Sequence, residues 1–173
     1  MNLQNTWLKY GLIYGGISIV LALYSYYISS IGLWTQTLIS FLVMIGVMVF
    51  ASREYKEIHE GVLPYGEALK LNFLVGFVGL FISGIFSLIL IQLIDPSIID
   101  TLKDQALESS RVILEKLGTS EEVINDALEK TEEDFQSRFT PGAMFLNILT
   151  SAIFVLVVAA IVSIFVKKDQ SIG

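Results

Sequence analysis

From Gly11 to Ser52 the chain runs without a single Asp, Glu, Lys, Arg or His. Crossing the hydrocarbon core of a bilayer takes roughly 20 apolar residues per helix, so a run of this length predicts two membrane spans joined by an uncharged turn. The first is expected over about 7–28 and the second over about 33–51, ending at Arg53. Trp7 and Tyr10 stand at one end of the first span and Tyr24, Tyr26 and Tyr27 at the other, with Trp34 opening the second. Aromatic rings favour these depths, where one side of the ring meets lipid and the other water. A cleaved secretory leader would have a basic start and an apolar stretch of only about 7–15 residues; this stretch is longer and bulkier, and reads as a retained helix.

The pattern then changes. Residues 52–70 are mixed in sign and carry Gly61, Pro64 and Gly66, which are expected to interrupt any helix there. A third span follows, beginning at Glu67 or Ala68 and running to Ile94, where Asp95-Pro96 stops it because proline clashes with the preceding turn. A fourth is expected over about 141–166, entered through Thr140 as N-cap with Pro141 in the first helical position and closed by Lys167-Lys168. The expectation is an all-α integral membrane protein, residues 1–173 forming one membrane domain of four transmembrane helices.

The intervening segment, 95–140, is of another kind. It holds twelve acids and five bases. Asp95-Pro96 has the form of an N-cap with proline behind it, and Ile99, Leu102, Ala106, Ile113 and Leu117 recur at helical spacing. Gly118 suits the position just past a helix, where positive φ costs glycine little. Thr119-Ser120-Glu121-Glu122 has the T-x-x-E spacing of a capping box, and Ile124, Leu128, Thr131 and Phe135 continue a stripe on a second helix. The expected form is an acidic helical hairpin outside the membrane between helices 3 and 4. Its stripes are thin, so it needs the membrane surface, a second copy or a partner to cover them. The acids serve as a solvated face, a docking surface for a basic partner or a weak cation site; no stretch has the spacing of a calcium loop.

Composition sharpens the picture in one respect. The chain is 54% hydrophobic and 16% charged, with a mean hydropathy of +0.68, against about 25% charged residues in a globular domain. Its net charge of −6 therefore resides in the 95–140 segment. Basic residues nearest the span ends set orientation: Lys9, Arg53, Lys56, Lys70, Lys167 and Lys168 would share one side, which places both termini in the cytoplasm. Without cysteine there is no disulfide framework, thiolate nucleophile or thiolate metal site.

Candidates for chemistry are few. Ionisable groups at membrane depth mark functional sites, and the spans hold none at mid-depth. Gln36, Gln92 and Asn147 fall near span ends, within reach of water; Asn72 lies about one turn inside the third span and reads as an interhelical hydrogen bond. Glu67 complements the positive end of its helix dipole and is placed to pair with Lys70. His59, the only histidine, reads as an exposed surface residue. Gly11, Gly15, Gly76, Gly79, Ser83, Gly84 and Ser87, with Ser151, Ala152, Ala159, Ala160 and Ser163, let backbones approach closely in lipid. They serve packing within the bundle or a homodimer face. The best functional candidates are Tyr65, Gly66, Glu67, Asn72 and Gly76. No catalytic, cofactor-binding or metal-binding set is recognisable, and nothing points to nucleic acid.

One segment carries a family resemblance. His59-Glu60-Gly61 and Leu63-Pro64-Tyr65-Gly66-Glu67-Ala68-Leu69-Lys70, leading into a glycine-spaced helix that ends at Ile94-Asp95-Pro96, resemble a bacterial family found mainly in Bacteroidota and known as domain of unknown function 4199. The shared pattern is G-x-x-x-[FY]-G-[EQ]-A, with Gly61, Tyr65, Gly66, Glu67 and Ala68 filling it. The resemblance implies a four-helix protein of the bacterial inner membrane and no assigned activity. Together these readings favour a non-enzymatic scaffold or accessory subunit. It would sit in the lipid bilayer and present its hairpin to an envelope protein or to a second copy. The alternative is a small oligomeric channel or transporter-like protein with Glu67 and Asn72 near its mouth.

Overall fold

The computed structural model describes residues 3–28 and 33–168. The turn expected around 29–32 and the ring of Trp34 lie outside the described residues. Six helices follow one another: α1 (Leu3–Tyr27), α2 (Leu33–Ile58), α3 (Tyr65–Ile89), α4 (Ile98–Lys116), α5 (Glu121–Phe135) and α6 (Pro141–Val166). A π turn, Leu90–Ile94, extends α3, and a 3-10 turn, Gln136–Phe139, precedes α6. Four stretches are long and apolar enough to cross a membrane: Asn5–Tyr27, Thr35–Ile58, Tyr65–Ile94 and Pro141–Val166. The four expected spans are therefore present, with shifted ends.

The second helix differs most. It continues through the charged residues Arg53, Glu54, Lys56 and Glu57 to Ile58, because these side chains find partners or solvent without leaving the helix. Lys9 Nζ lies 2.5 Å from Glu54 Oε2, and the Tyr10 hydroxyl donates to the same oxygen at 2.8 Å, tying α1 to α2. The break comes at Glu60 (φ 51°) and Gly61 (φ 79°), two successive left-handed residues, followed by Pro64. Gly66 interrupts nothing; it sits in the first turn of α3.

α3 is the central helix and packs against α1, α2 and α6. Glycine makes this possible. A β-carbon at Gly11 would lie 2.8 Å from Val78 Cγ1, one at Gly15 3.1 Å from the Ile82 side chain, and one at Gly84 2.7 Å from Ile148. At Gly76 it would lie 2.6 Å from both Met48 Cε and Val155 Cγ1, and at Gly79 it would fall on the Tyr14 ring. These five glycines thus act in packing within the bundle. α1 supplies one of the two principal faces against which α3 packs.

Packing is uneven along the bundle. Met48, Ala51, Leu71, Val75, Val155 and Ala159 are completely buried, all toward the end that carries the α2–α3 connection. That end is closed by a mutual pair of backbone hydrogen bonds, 2.8 Å each, between buried Leu63 and Lys168. Toward the other end α3 has no fully enclosed residue between Leu80 and Ile89, and of α6 only Ile148 is buried before Val155. A second cluster caps this looser half: Leu90, Ile91, Ile98, Leu102 and Phe135, with Leu23, Tyr26, Phe86 and Phe139 against it.

α4 and α5 join the bundle through that cluster. Lys103 pairs with Glu132 at 3.1 Å, and Arg111 with both Glu115 (2.9 Å) and Glu121 (3.4 Å). α4 begins at Ile98 and not directly behind Asp95-Pro96, because Asp95 ends the π turn and accepts from Ser97 Oγ. At the far end Gly118 has φ 72°, its N–H bonds to Glu115 O, and Thr119 N–H bonds to Leu114 O. This is the double closure of a Schellman motif. The N–H of Thr119 is thus engaged in ending α4, and α5 begins two residues on, at Glu121. Thr140 caps α6 as expected, accepting from Ala143 N–H at 3.3 Å.

Candidate functional site

The residues singled out by sequence fall near the tight end, but they do not converge. Asn72 is completely buried and joins three helices: its Oδ1 accepts from Ser52 Oγ and its Nδ2 donates to Ser163 Oγ, each at 3.0 Å. Ser52 and Ser163 are equally buried. A buried amide must be satisfied, and here two hydroxyls on α2 and α6 do so. Neither serine was recognisable as its partner, since both are far away in sequence. Gly76 sits one helical turn on, enclosed by Met48 and Val155. Tyr65 is 38% exposed and Gly66 faces open space.

Glu67 does not pair with Lys70. Its Oε2 accepts from the Tyr55 hydroxyl at 3.0 Å, which α2 can deliver only because that helix continues past the expected stop at Ala51. His59 stacks on the Tyr55 ring, centroids 3.9 Å apart, and its Nδ1 lies 2.9 Å from the Tyr55 carbonyl. A carbonyl only accepts, so Nδ1 carries the proton. His59 is therefore half-buried, not a free surface residue. Tyr55, His59, Glu60, Val62, Pro64 and Glu67 border an open depression of about 600 Å³. Among the described residues no group of three His, Asp or Glu side chains is placed to hold a metal ion.

The loose half is different. A cavity of about 620 Å³ lies among α1, α2, α3, α6 and the underside of α4. Its deep wall is Tyr14, Met44, Leu80 and Val155, and its outer wall Tyr26, Gln36, Thr37 and Leu102. A second recess of about 520 Å³ lies between α3 and α6 under Ala106, Phe135 and Phe139. Leu80 borders both, and Leu102 and Ala106, one turn apart on α4, roof one each. Two of the three polar residues expected to rely on water have protein partners here, while Asn147 is exposed. Gln36 accepts from Ser25 Oγ at 3.0 Å, and Gln92 Nε2 donates to Phe139 O at 2.5 Å.

Outside the spans, electrostatics hold α4 in place. The Ser97 and Tyr27 hydroxyls, the latter 2.9 Å away, donate to Asp95 and hold its carboxyl below the usual aspartate range. Glu132 beside Lys103 raises that ammonium above its ordinary value. Beyond these contacts α4 and α5 leave apolar side chains uncovered: Leu117 is 74% and Val123 53% exposed, and Val112 and Ile113 are exposed to a lesser degree.

The arrangement defines an all-helical protein with four helices fit to span a membrane and an acidic helix pair between the third and fourth. The chain belongs to the family described as protein of unknown function (DUF4199), whose profile matches residues 9–168. No curated protein and no solved structure matches it.

Proposed function

We propose that the protein is a non-enzymatic scaffold or accessory subunit of the bacterial inner membrane that presents α4–α5 to a basic surface on an envelope partner. The carrying observation is the apolar surface around the α4–α5 turn, Leu117 and Val123 above all, set within a segment of twelve acids and five bases. An uncovered apolar patch with a charged rim is the usual mark of a protein contact. Termini in the cytoplasm and α4–α5 outside it follow from the bases next to the span ends. A permeation role has less support. Asn72 is engaged on both sides, and the half of the bundle around it is closed by fully buried Met48, Ala51, Leu71 and Val75.

The test is a photoreactive residue at exposed Ser120 in native membranes. The expected result is a crosslink to another envelope protein that disappears when Leu117 and Val123 are both changed to Ser. The same crosslink surviving that double change, or no crosslink at all, contradicts the proposal.

A further inference from the structure

The cavity beneath α4 is matched to one leaflet of a bilayer. Tyr14, Met44, Leu80 and Val155, its deep wall, each lie within three residues of the middle of their span. Tyr26, Gln36 and Thr37, its outer wall, lie within three residues of the span ends on the α4 side. From Gln36 to Met44 the helix rises about 12 Å at 1.5 Å per residue, close to half of the roughly 30 Å hydrocarbon core. Along α2 the lining runs Gln36, Thr37, Leu38, Ser40, Phe41 and Met44, so its amide and hydroxyl side chains lie toward the α4 side and Phe41 and Met44 toward the middle.

Size and access agree. At roughly 30 Å³ per water-sized group, a volume of about 620 Å³ corresponds to about twenty methylene-sized groups, the bulk of one acyl chain. Leu38 on α2 and Phe154 on α6 border the cavity and are 57% and 56% exposed, so the opening between these helices faces the lipid phase. Protein interiors hold few voids larger than a water molecule. In a bilayer an apolar void open to the side is in contact with acyl chains as solvent.

We infer that this cavity is a lipid site: it takes one acyl chain of a bilayer phospholipid from the leaflet on the α4 side, with the headgroup end near Gln36 and Thr37 and Leu102 of α4 above it. The occupant is then part of the packing of the loose half, supplying contacts that the tight half obtains from its own side chains. It also lies against the helix that carries the exposed patch. Apart from Leu102 its walls belong to the spans, whereas the exposed patch lies around the far end of α4 and the start of α5.

The test uses the full chain in phosphatidylcholine vesicles containing a trace of phosphatidylcholine with a diazirine near the end of one acyl chain. After photolysis, adducts are mapped by peptide mass spectrometry. Adducts are expected on Met44 or Leu80 as well as on the outward-facing Leu42 and Ile153. Ser40→Trp, which fills the cavity, should lower the deep-wall adducts by about tenfold, a change of about 1.4 kcal/mol in occupancy, and leave those on Leu42 and Ile153 unchanged. Thr37→Trp at the outer wall gives a second variant that does not touch the deep wall, and unchanged outer-face adducts report that a variant has folded. Deep-wall adducts missing from the wild-type chain, or undiminished in a folded variant, would overturn the assignment. So would chain-to-chain adducts at Met44 or Leu80 in their place, which would make the occupant a second copy.

Discussion

Asn72 shows what a single residue can disclose. An amide one turn inside an apolar helix has few options in lipid, so a hydrogen bond to another helix was the natural expectation, and the structure supplies two. Which partners it would find was not legible, because Ser52 and Ser163 look like any other small residue in a span. Asn72→Ala should cost about 1–2 kcal/mol, since it strands two buried hydroxyls and such bonds average well under 2 kcal/mol each in membranes. Asn72→Asp should be no better tolerated, as it buries a charge. Unfolding in a denaturing detergent series, compared with wild type, reads both. The glycines permit a sharper contrast. Gly79→Ala pushes a methyl into the Tyr14 ring and should destabilise by about 1–3 kcal/mol through overpacking. At Gly16 nothing lies within 4 Å, so Gly16→Ala should be neutral or slightly stabilising in the same assay. Sequence spacing marked Gly79 as a packing residue and left Gly16 unmarked. The size of the contrast was not legible, since it rests on what lies across the interface.

At the scale of elements, the existence of every span was readable from the apolar runs, and several ends were not. Charge density suggested that α2 stops near Ala51, yet Glu54 and Tyr55 continue it by bonding to α1 and α3. Tertiary partners outweighed local composition, and with that extension came the Tyr55–Glu67 contact that no Glu67–Lys70 spacing rule could foresee. The π turn at the end of α3 had no sequence signal beyond the proline that follows it, whereas Gly118 was legible because a left-handed helix end leaves few other residues. The anchoring of α4 has a pH dependence with a definite sign. Asp95 is held below its usual range, so its contribution is complete above the ordinary aspartate value of about 3.9 and lost as pH falls through the lower folded value. Lys103 is held above its usual range, so its contribution is complete below about 10.4 and lost as pH rises through the higher folded value. The protection of α4 amides relative to their intrinsic exchange rate at each pH should therefore be flat between these limits and fall at each extreme. Asp95→Asn should abolish the acid limb and leave the alkaline one; an acid limb that persists in this variant would show that other carboxylates hold α4.

For the whole molecule, hydrophobicity alone established the class and the segregation of charge into one segment. The division into a tight and a loose half was hidden, because it arises from how three helices meet α3 and not from any property of α3 taken alone. Ser52 illustrates the consequence. It borders a charged stretch and looks exposed in sequence, but it is fully buried against Asn72, so a label there would report the core. Four crossings would put the α2–α3 connection and the α4–α5 pair on opposite faces of the membrane. Because the chain has no cysteine, one measurement addresses this directly: single cysteines at exposed Glu57 and Ser120, treated with a membrane-impermeant thiol reagent in intact cells. Labelling of the Ser120→Cys protein alone, with Glu57→Cys reacting only after the membrane is opened, is the predicted result. Labelling of both in intact cells would contradict opposite faces, and labelling of Glu57→Cys alone would contradict cytoplasmic termini.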